Sequence, residues 1–216
     1  SIPGLLGIAG EKPTKVGEMI LPPRAFGIPV ISIGMFVEPH TPVSWRGPML
    51  HRTVNQFLTD VYFGDIDVLV CDLPPGTGDV AMSFGQLLPT ADILVVTTPQ
   101  ESATDVAERS GLIARQLGQR VIGVVENMSD WVEPDGTEHR LFGSGGGAMV
   151  AAMLDVPLLG TIPLSADIAR TGDAGTPLVV ERPDTVVAGA FVALADAVAA
   201  TARPRGTASI PIRVSR

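Results

Sequence analysis

A short apolar run, Val68-Leu-Val-Cys71, constrains the fold of this chain more than any other feature. Four consecutive apolar residues that end on Asp72 are typical of a strand buried on both faces of a parallel sheet. Two prolines follow and remove two backbone donors, and Gly76 and Gly78 then leave the backbone open to close approach. The run therefore predicts a central strand with a glycine-bearing loop at its carboxyl end.

The segment from Asp72 to Asp79 is the first candidate site. Open α/β sheets bind their ligands outside the carboxyl ends of the strands. At that position Asp72 would hold a water bound to Mg²⁺, and the amides of Gly76, Thr77, Gly78 and Asp79 would face a γ-phosphate. The alternative is an ordinary strand that ends on a solvated aspartate and a Pro/Gly turn. The complete sequence PPGTGD favours the ligand-binding interpretation.

The composition limits the class of protein. With 216 residues, 45% of them hydrophobic and 18% charged, the chain can form one globular α/β domain with a substantial core. A net charge of −8 argues against broad binding to nucleic acid or anionic membranes. The single cysteine excludes an internal disulfide and a cysteine-only metal site within one chain, which fits a reducing compartment.

Strand patterns alternate with helix patterns, which predicts a mostly parallel sheet with flanking helices and right-handed crossovers. The Gly- and Pro-rich residues 1–28 are predicted to be loop. The predicted strands are 29–37, 67–72, 93–98, 120–125 and 157–162. The predicted helices are 48–62, 79–88, 102–117, 148–154 and a packed, not membrane-spanning, helix at 186–202. We expect one domain over residues 1–203 and a disordered tail over 204–216.

Two residues after predicted strands are candidates for binding a base. Asn127 offers a donor and an acceptor side by side, which matches the N6 and N7 edge of adenine, although its spacing alone favours an asparagine that caps a turn. Pro163 follows the last strand and could pack against a base. Arg46 could face phosphate or a partner subunit, or equally lie over an aromatic ring on the surface.

The glycine-rich segment Phe142 to Gly147 could bind an anion at a helix N-terminus. A phosphate-binding loop needs a Gly-Lys-Ser/Thr, however, and no lysine occurs beyond Lys15, so we predict a flexible surface turn. The three histidines have neither metal-ligand spacing nor a catalytic triad pattern, and we assign them no chemistry.

A set of motifs, in register and in order over about residues 1–180, resembles one known family. The motifs are SIP, SIG (32–34), WRGP (45–48), DLPPGTGD (72–79), TTPQ (97–100), ENMS (126–129), FGSGGG (142–147), LLGTIP (158–163) and the D-x-G-x-P of 173–177. The chain resembles the Mrp/ApbC iron–sulfur cluster carrier ATPases, relatives of MinD and ParA. The resemblance implies a deviant P-loop NTPase fold, ATP and Mg²⁺ as cofactors, an ATP-sandwiching homodimer, and cytoplasmic delivery of Fe–S clusters to apo-proteins. By matching position, Asp72 resembles the Walker B aspartate, Gly76 to Asp79 the switch, and Asn127 the adenine-reading residue.

Two departures from the family pattern change what we expect of this chain. The deviant Walker A loop, of the form KGGVGKS, would lie upstream of Ser1. The P-loop strand that the resemblance implies between 67–72 and 93–98 is therefore missing from these residues. ATP hydrolysis by the chain is left open. The Cys-x-x-Cys of many members is replaced by residues 131–136, where Glu133 and Asp135 are poor ligands for an Fe–S cluster. We identify no Fe–S ligand, since Cys71 is expected to lie in the core.

Two other functions remain open at this point. The first is a spatial regulator of the MinD/ParA kind, which would need an amphipathic basic helix for membrane binding, whereas the tail 203–216 is interrupted by two prolines and a glycine. The second is a scaffold that binds no nucleotide. We expect neither nucleic acid nor membrane as a partner.

Overall fold

The computed structural model describes residues 1–37, 47–74, 78–133 and 137–201. The helices are α1 (Ile2–Leu5), α2 (Gly47–Thr59), α3 (Asp79–Leu87), α4 (Glu101–Gln116), α5 (Gly146–Met153), α6 (Ala166–Asp173), α7 (Leu178–Glu181) and α8 (Val186–Thr201), with a 3-10 helix at Ile33–Phe36. The strands are β1 (Thr14–Val16), β2 (Met19–Leu21), β3 (Arg24–Ala25), β4 (Ile28–Pro29), β5 (Asp92–Thr97), β6 (Arg120–Asn127), β7 (Trp131–Val132), β8 (Glu138–His139) and β9 (Leu158–Ile162).

A three-stranded parallel sheet in the order β5–β6–β9 forms the centre of the described chain. The middle strand β6 pairs with β5 from Asp92–Arg120 to Thr97–Glu126, and with β9 up to Asn127–Ile162. Helix α4 connects β5 to β6, and α5 lies between β6 and β9. The α/β class, with a parallel sheet and flanking helices, is therefore confirmed.

The main core lies between this sheet and the helices α4 and α5. Val124, Val150 and Leu154 have 0% exposure, and burial of each such side chain contributes about 1.5–3 kcal/mol. Helix α4 can lie close to the end of α5 because Gly111 has no side chain. A Cβ at Gly111 would lie 2.5 Å from Cδ1 of Leu154. The remaining members of this cluster are Val95, Ala107, Ala114, Val121 and Ala151.

Helix α8 packs along β9, so the predicted packed helix is present. Only one face of the helix is buried. Ala188 is fully buried, whereas Val186 and Val192 are exposed. At the end of α8 the Thr201 carbonyl accepts a hydrogen bond from Arg120, whose guanidinium also makes a two-bond ion pair with Asp92 at 2.6 and 2.8 Å. Among the described helices none combines the length and the apolar character that a membrane crossing requires.

The prediction that residues 1–28 lack regular structure is wrong. They form α1 and two antiparallel hairpins, β1–β2 and β3–β4. The β3–β4 turn consists of Phe26 and Gly27, with φ of 50° and 81°, which is the backbone that two-residue hairpin turns require. Gly17 and Gly27 therefore lie in hairpin turns, which the composition alone did not separate from loop.

The predicted strand over residues 29–37 is also wrong. Strand β4 ends at Pro29, and the 3-10 helix follows after Ser32, whose hydroxyl accepts a hydrogen bond from the Gly34 N–H at 3.3 Å. The described pairing of β4 extends over two residues of β3 only. An apolar run without a longer partner strand has no ladder to hold it extended.

The central strand predicted over residues 67–72 is not formed. The described residues 66–74 contain no strand, and Val68 and Val70 are 69% and 87% exposed. Cys71 is exposed as well, so its expected place in the core is wrong. The physical reason is that none of the described strands pairs with this run. Strand β5 pairs with β6 and shares no ladder with residues 67–72.

The first residues of the chain pack against a segment far along the sequence. Gly7 and Gly175 have φ of 71° and 74°, and a Cβ on Gly7 would lie 2.7 Å from the Gly175 carbonyl oxygen. Only glycine satisfies both the backbone angle and this close approach. The contact brings the SIP and D-x-G-x-P motifs to one place beside α1 and α6.

Candidate functional site

The carboxyl edge of the sheet is the candidate site, because three strands end there side by side. Thr97 pairs with Glu126, Glu126 pairs with Thr161, and Asn127 pairs with Ile162. Neighbouring strands lie about 4.8 Å apart, so residues from β5, β6 and β9 lie within reach of one small ligand. Parallel strands that end in register make this edge a usual place for binding.

Asn127 and Pro163 lie together on this edge. Asn127 is the last residue of β6 and Pro163 is the first residue after β9, one position beyond the register partner of Asn127. The Asn127 Oδ1 accepts a hydrogen bond from the Met128 N–H at 2.9 Å, so the turn-capping alternative is present. The hydrogen bonds among the described residues do not use its amide nitrogen, and base recognition by Asn127 stays a prediction.

Asp72 is exposed, and the described hydrogen bonds and ion pairs do not connect it to the β6 edge. Gly78 is the N-cap of α3, which begins at Asp79 as predicted, and a Cβ on Gly78 would meet nothing within 4 Å. Gly76 and Thr77 lie outside the described residues, as does Arg46. The ligand-binding role of Asp72 therefore also stays a prediction.

Glu126 is a site residue that the sequence analysis did not single out. It is 5% exposed, and its Oε2 accepts a hydrogen bond from the Gly147 N–H at 2.6 Å. Gly147 lies in the first turn of α5, where backbone N–H groups lack helical partners and the helix dipole favours a carboxylate. The available sequence signal was a glutamate that directly follows the predicted strand 120–125.

The glycine-rich segment is not simply a flexible surface turn. Residues 143–145 are exposed, but Gly146 and Gly147 are buried. A Cβ on Gly146 would lie 2.6 Å from the Pro99 carbonyl oxygen, and one on Gly147 would lie 2.6 Å from the Glu126 Cβ. These glycines therefore allow the start of α5 to pack directly on the ends of β5 and β6.

The segment between β6 and α5 contains the short β7–β8 hairpin. The His139 Nε2 lies 2.8 Å from the Glu133 Oε1, and the rings of His139 and Trp131 have centroids 5.3 Å apart. Asp135 lies outside the described residues. The part of the chain that the structure describes contains no group of three or more His, Cys, Asp or Glu side chains suited to a metal ion.

Cys71 supplies the single thiol of the chain. Partial burial of the sulfur raises the pKa of the Cys71 thiol, although the residue as a whole is exposed. A raised pKa favours the protonated thiol, which binds metal less well than a thiolate. At the sheet edge the carboxamide of Asn127 instead offers a donor and an acceptor that suit a nucleotide base.

Comparisons with known proteins agree on one family. The ParA family model, described as NUBPL iron-transfer P-loop NTPase, matches residues 1–199. A Mycobacterium bovis protein named iron-sulfur cluster carrier protein is 53% identical over 98% of this chain and 56% of its own length. The chain thus spans about half the length of the curated relatives it matches.

Two solved structures have a similar fold. A nucleotide-binding protein from Archaeoglobus fulgidus in complex with ADP is 30% identical, with a TM-score of 0.70, over 85% of this chain and 71% of its own. The cell division ATPase MinD of Pyrococcus furiosus is 25% identical, with a TM-score of 0.53, over 73% of this chain and 60% of its own. These likenesses confirm the predicted MinD-like P-loop NTPase fold.

Proposed function

Since the chain belongs to the ParA family of NUBPL-type iron-transfer P-loop NTPases, we propose that it forms the base-recognition and switch part of an ATP-dependent iron–sulfur cluster carrier. The observation that carries the proposal is identity of 53%, over 98% of the chain, to a relative named for this role. The ADP in the Archaeoglobus fulgidus structure supports an adenine nucleotide as the ligand.

The proposed base site is the edge formed by Asn127 and Pro163. Asn127 donates from its amide nitrogen to the adenine ring, while Pro163 packs against the face of the base. The strand register that puts these residues on one edge supports the assignment. A carboxamide is suited to this task because it presents a donor and an acceptor together.

The proposed phosphate side consists of Asp72 and the residues Gly76, Thr77, Gly78 and Asp79. A carboxylate oxygen suits Mg²⁺ held through water, and the metal would neutralise charge on the phosphates. Asp72 orients that water, and the amides of Gly76 to Asp79 bind the γ-phosphate. The chain has no Gly-Lys-Ser/Thr, so it supplies only part of the phosphate-binding machinery.

The cargo of the proposed carrier is an Fe–S cluster, which passes to apo-proteins in the cytoplasm. We propose a homodimer as the working unit. These 216 residues contain one thiol, so two copies of them supply two, whereas a cluster is ordinarily held by four thiolates. We therefore assign the cluster ligands to none of the described residues.

Nucleotide titration of the full-length natural protein tests the base site. Asn127→Ala should weaken ATP binding about tenfold, because one hydrogen bond of about 1.4 kcal/mol is lost. The matched control is Asn55→Ala, an exposed asparagine on α2, which should leave the affinity unchanged. Equal ATP affinity in the natural protein and Asn127→Ala would remove Asn127 from the site.

Two further assays test the phosphate side and the cargo. The 216 residues alone should show no ATP turnover with Mg²⁺, and a rate of about 1 s⁻¹ would contradict the proposed division of the site. Anaerobic reconstitution should leave residues 131–136 without a cluster. A stoichiometric cluster that persists in Cys71→Ser would show that non-thiolate ligands hold it.

The likeness to MinD favours one alternative, a spatial regulator that cycles on a surface. It is less well supported, because identity falls to 25% and coverage to 73% of this chain. ATP-dependent cosedimentation with anionic vesicles would favour the regulator, whereas cluster transfer to an apo-ferredoxin would favour the carrier.

A further inference from the structure

Glu126 is the one carboxylate residue that is buried among the residues the structure describes. Its Oε2 lies 2.6 Å from the Gly147 nitrogen, 21 positions along the chain. The contact depends on Gly147, because any side chain there would place a Cβ 2.6 Å from the Glu126 Cβ. A buried carboxylate is expensive unless it is paired, so this contact is a specific arrangement.

The hydrogen bond between Glu126 and Gly147 joins the two ends of a loop. The chain leaves the sheet after Asn127, forms the β7–β8 hairpin, and returns at the start of α5. Two more bonds hold the departing strand, from the Ser129 N–H to the Ile162 carbonyl at 3.1 Å and from the Leu164 N–H to the Asp130 carbonyl at 3.0 Å. Glu126 connects the departing and returning ends, and an ion pair between Arg140 Nε and Asp130 Oδ1 at 3.4 Å spans the same loop.

The backbone just after Asn127 is strained. Met128 has a φ of 54°, in the left-handed region, where an L-residue with a large side chain costs on the order of 1–2 kcal/mol. Such a residue keeps its conformation only when the surrounding contacts determine it. The Met128 N–H also makes the hydrogen bond to the Asn127 Oδ1, so this backbone angle sets the direction of the Asn127 amide.

We propose that Glu126 is a positioning residue, whose hydrogen bond to Gly147 holds Met128 in its strained conformation and thereby aims the Asn127 amide at the nucleotide base. The inference rests on the proposed function of Asn127. It adds a determinant of base selectivity that itself lies on the opposite face of β6, because successive strand residues point to opposite faces.

The test uses the full-length natural protein and three substitutions. Glu126→Ala removes the acceptor, and Glu126→Gln keeps an oxygen that accepts the Gly147 N–H. Glu133→Ala removes a carboxylate of the same loop that contacts His139 instead. The first readout is hydrogen exchange at the Met128 and Ser129 amides without nucleotide. The second is the ratio of ATP to GTP affinity.

Glu126→Ala should speed hydrogen exchange at both amides about tenfold and lower the ratio of ATP to GTP affinity about tenfold. A tenfold change is the effect of losing a hydrogen bond of about 1.4 kcal/mol. Glu126→Gln should stay within about threefold of the natural protein, as expected when the hydrogen bond is kept. Glu133→Ala should change neither readout. A uniform loss of affinity for both nucleotides, with the ratio unchanged, would indicate a merely structural role and overturn the proposal.

Unchanged exchange in Glu126→Ala would also overturn the proposal. If Glu126→Ala does not fold, Glu126→Asp shortens the same side chain, and both readouts should move in the same direction. If the natural protein binds neither nucleotide, the proposed function fails, and the exchange measurement still decides whether Glu126 holds the segment after β6.

Discussion

Shortening Leu154 to alanine tests the packing between α4 and α5, which sets the position of α5 at the site. Leu154 has 0% exposure and lies against Gly111. Its truncation removes three carbons, or about 2.4 kcal/mol of transfer free energy. The cavity left behind increases the loss in unfolding free energy to about 3–5 kcal/mol.

The neighbouring Gly111 makes this prediction sharper. A Cβ at Gly111 would lie 2.5 Å from the Leu154 Cδ1, so Gly111→Ala alone should overpack the site by about 1–3 kcal/mol. The higher helix propensity of alanine offsets about 1 kcal/mol of this cost. In the double variant the new methyl group occupies part of the cavity. The loss in unfolding free energy should then be at least about 1 kcal/mol smaller than the sum of the losses in the two single variants.

Equilibrium urea unfolding, followed by far-UV circular dichroism, measures the four free energies. The control pairs Leu154→Ala with Gly189→Ala, a glycine of α8 where a Cβ meets nothing within 4 Å. That pair should be additive. If the losses in unfolding free energy from Gly111→Ala and Leu154→Ala also add within about 0.5 kcal/mol, Gly111 and Leu154 are not in the close contact described between α4 and α5.

Three more predictions follow from particular contacts. Phe26→Asn should stabilise the protein by about 1 kcal/mol and raise its Tm, because asparagine tolerates the left-handed backbone of this hairpin turn. Gly175→Ala should lower the unfolding free energy measured in urea by more than about 2 kcal/mol. Gly10→Ala should lower it by only about 1 kcal/mol, because Gly10 has a φ of 89° but a Cβ there meets nothing within 4 Å. Arg120→Ala should speed hydrogen exchange in the last turn of α8, since the Thr201 carbonyl loses its donor; unchanged exchange would contradict that role.

The sheet and its helices could be predicted where neighbours in sequence are also neighbours in space. Residues 102–117 were predicted as a helix and α4 spans 101–116, while the strand predicted from 120 continues to Asn127. In these segments the hydrophobic period and the flanking breakers agree, and each strand finds its partner through the next helix. Local pattern and tertiary contact therefore give the same result.

The candidate site could be predicted only in part. The juxtaposition of Asn127 and Pro163 follows from the parallel sheet, because strands that run together end together. The role of Glu126 could not be predicted, because its partner Gly147 is 21 residues away and a glutamate at a strand end has many possible structural roles. The burial of Gly146 and Gly147 escaped prediction for the same reason, since the residues they touch, Pro99, Thr104, Glu126 and Leu158, come from distant parts of the chain.

The run Val68 to Cys71 shows that an apolar pattern becomes a buried strand only when other strands flank it. Burial of a valine contributes about 1.5–3 kcal/mol, and each backbone hydrogen bond about 0.5–1.5 kcal/mol, but both gains require a neighbouring strand. In the described residues β5 pairs with β6 only, and Val68 and Val70 stay exposed. Asp72 directly follows this run, so a strand that paired with it would fix the position of Asp72 at the same time. The magnesium-holding role proposed for Asp72 therefore depends on the partner of the run, whereas the position of Asn127 is already determined by β5 and β9 on either side of β6.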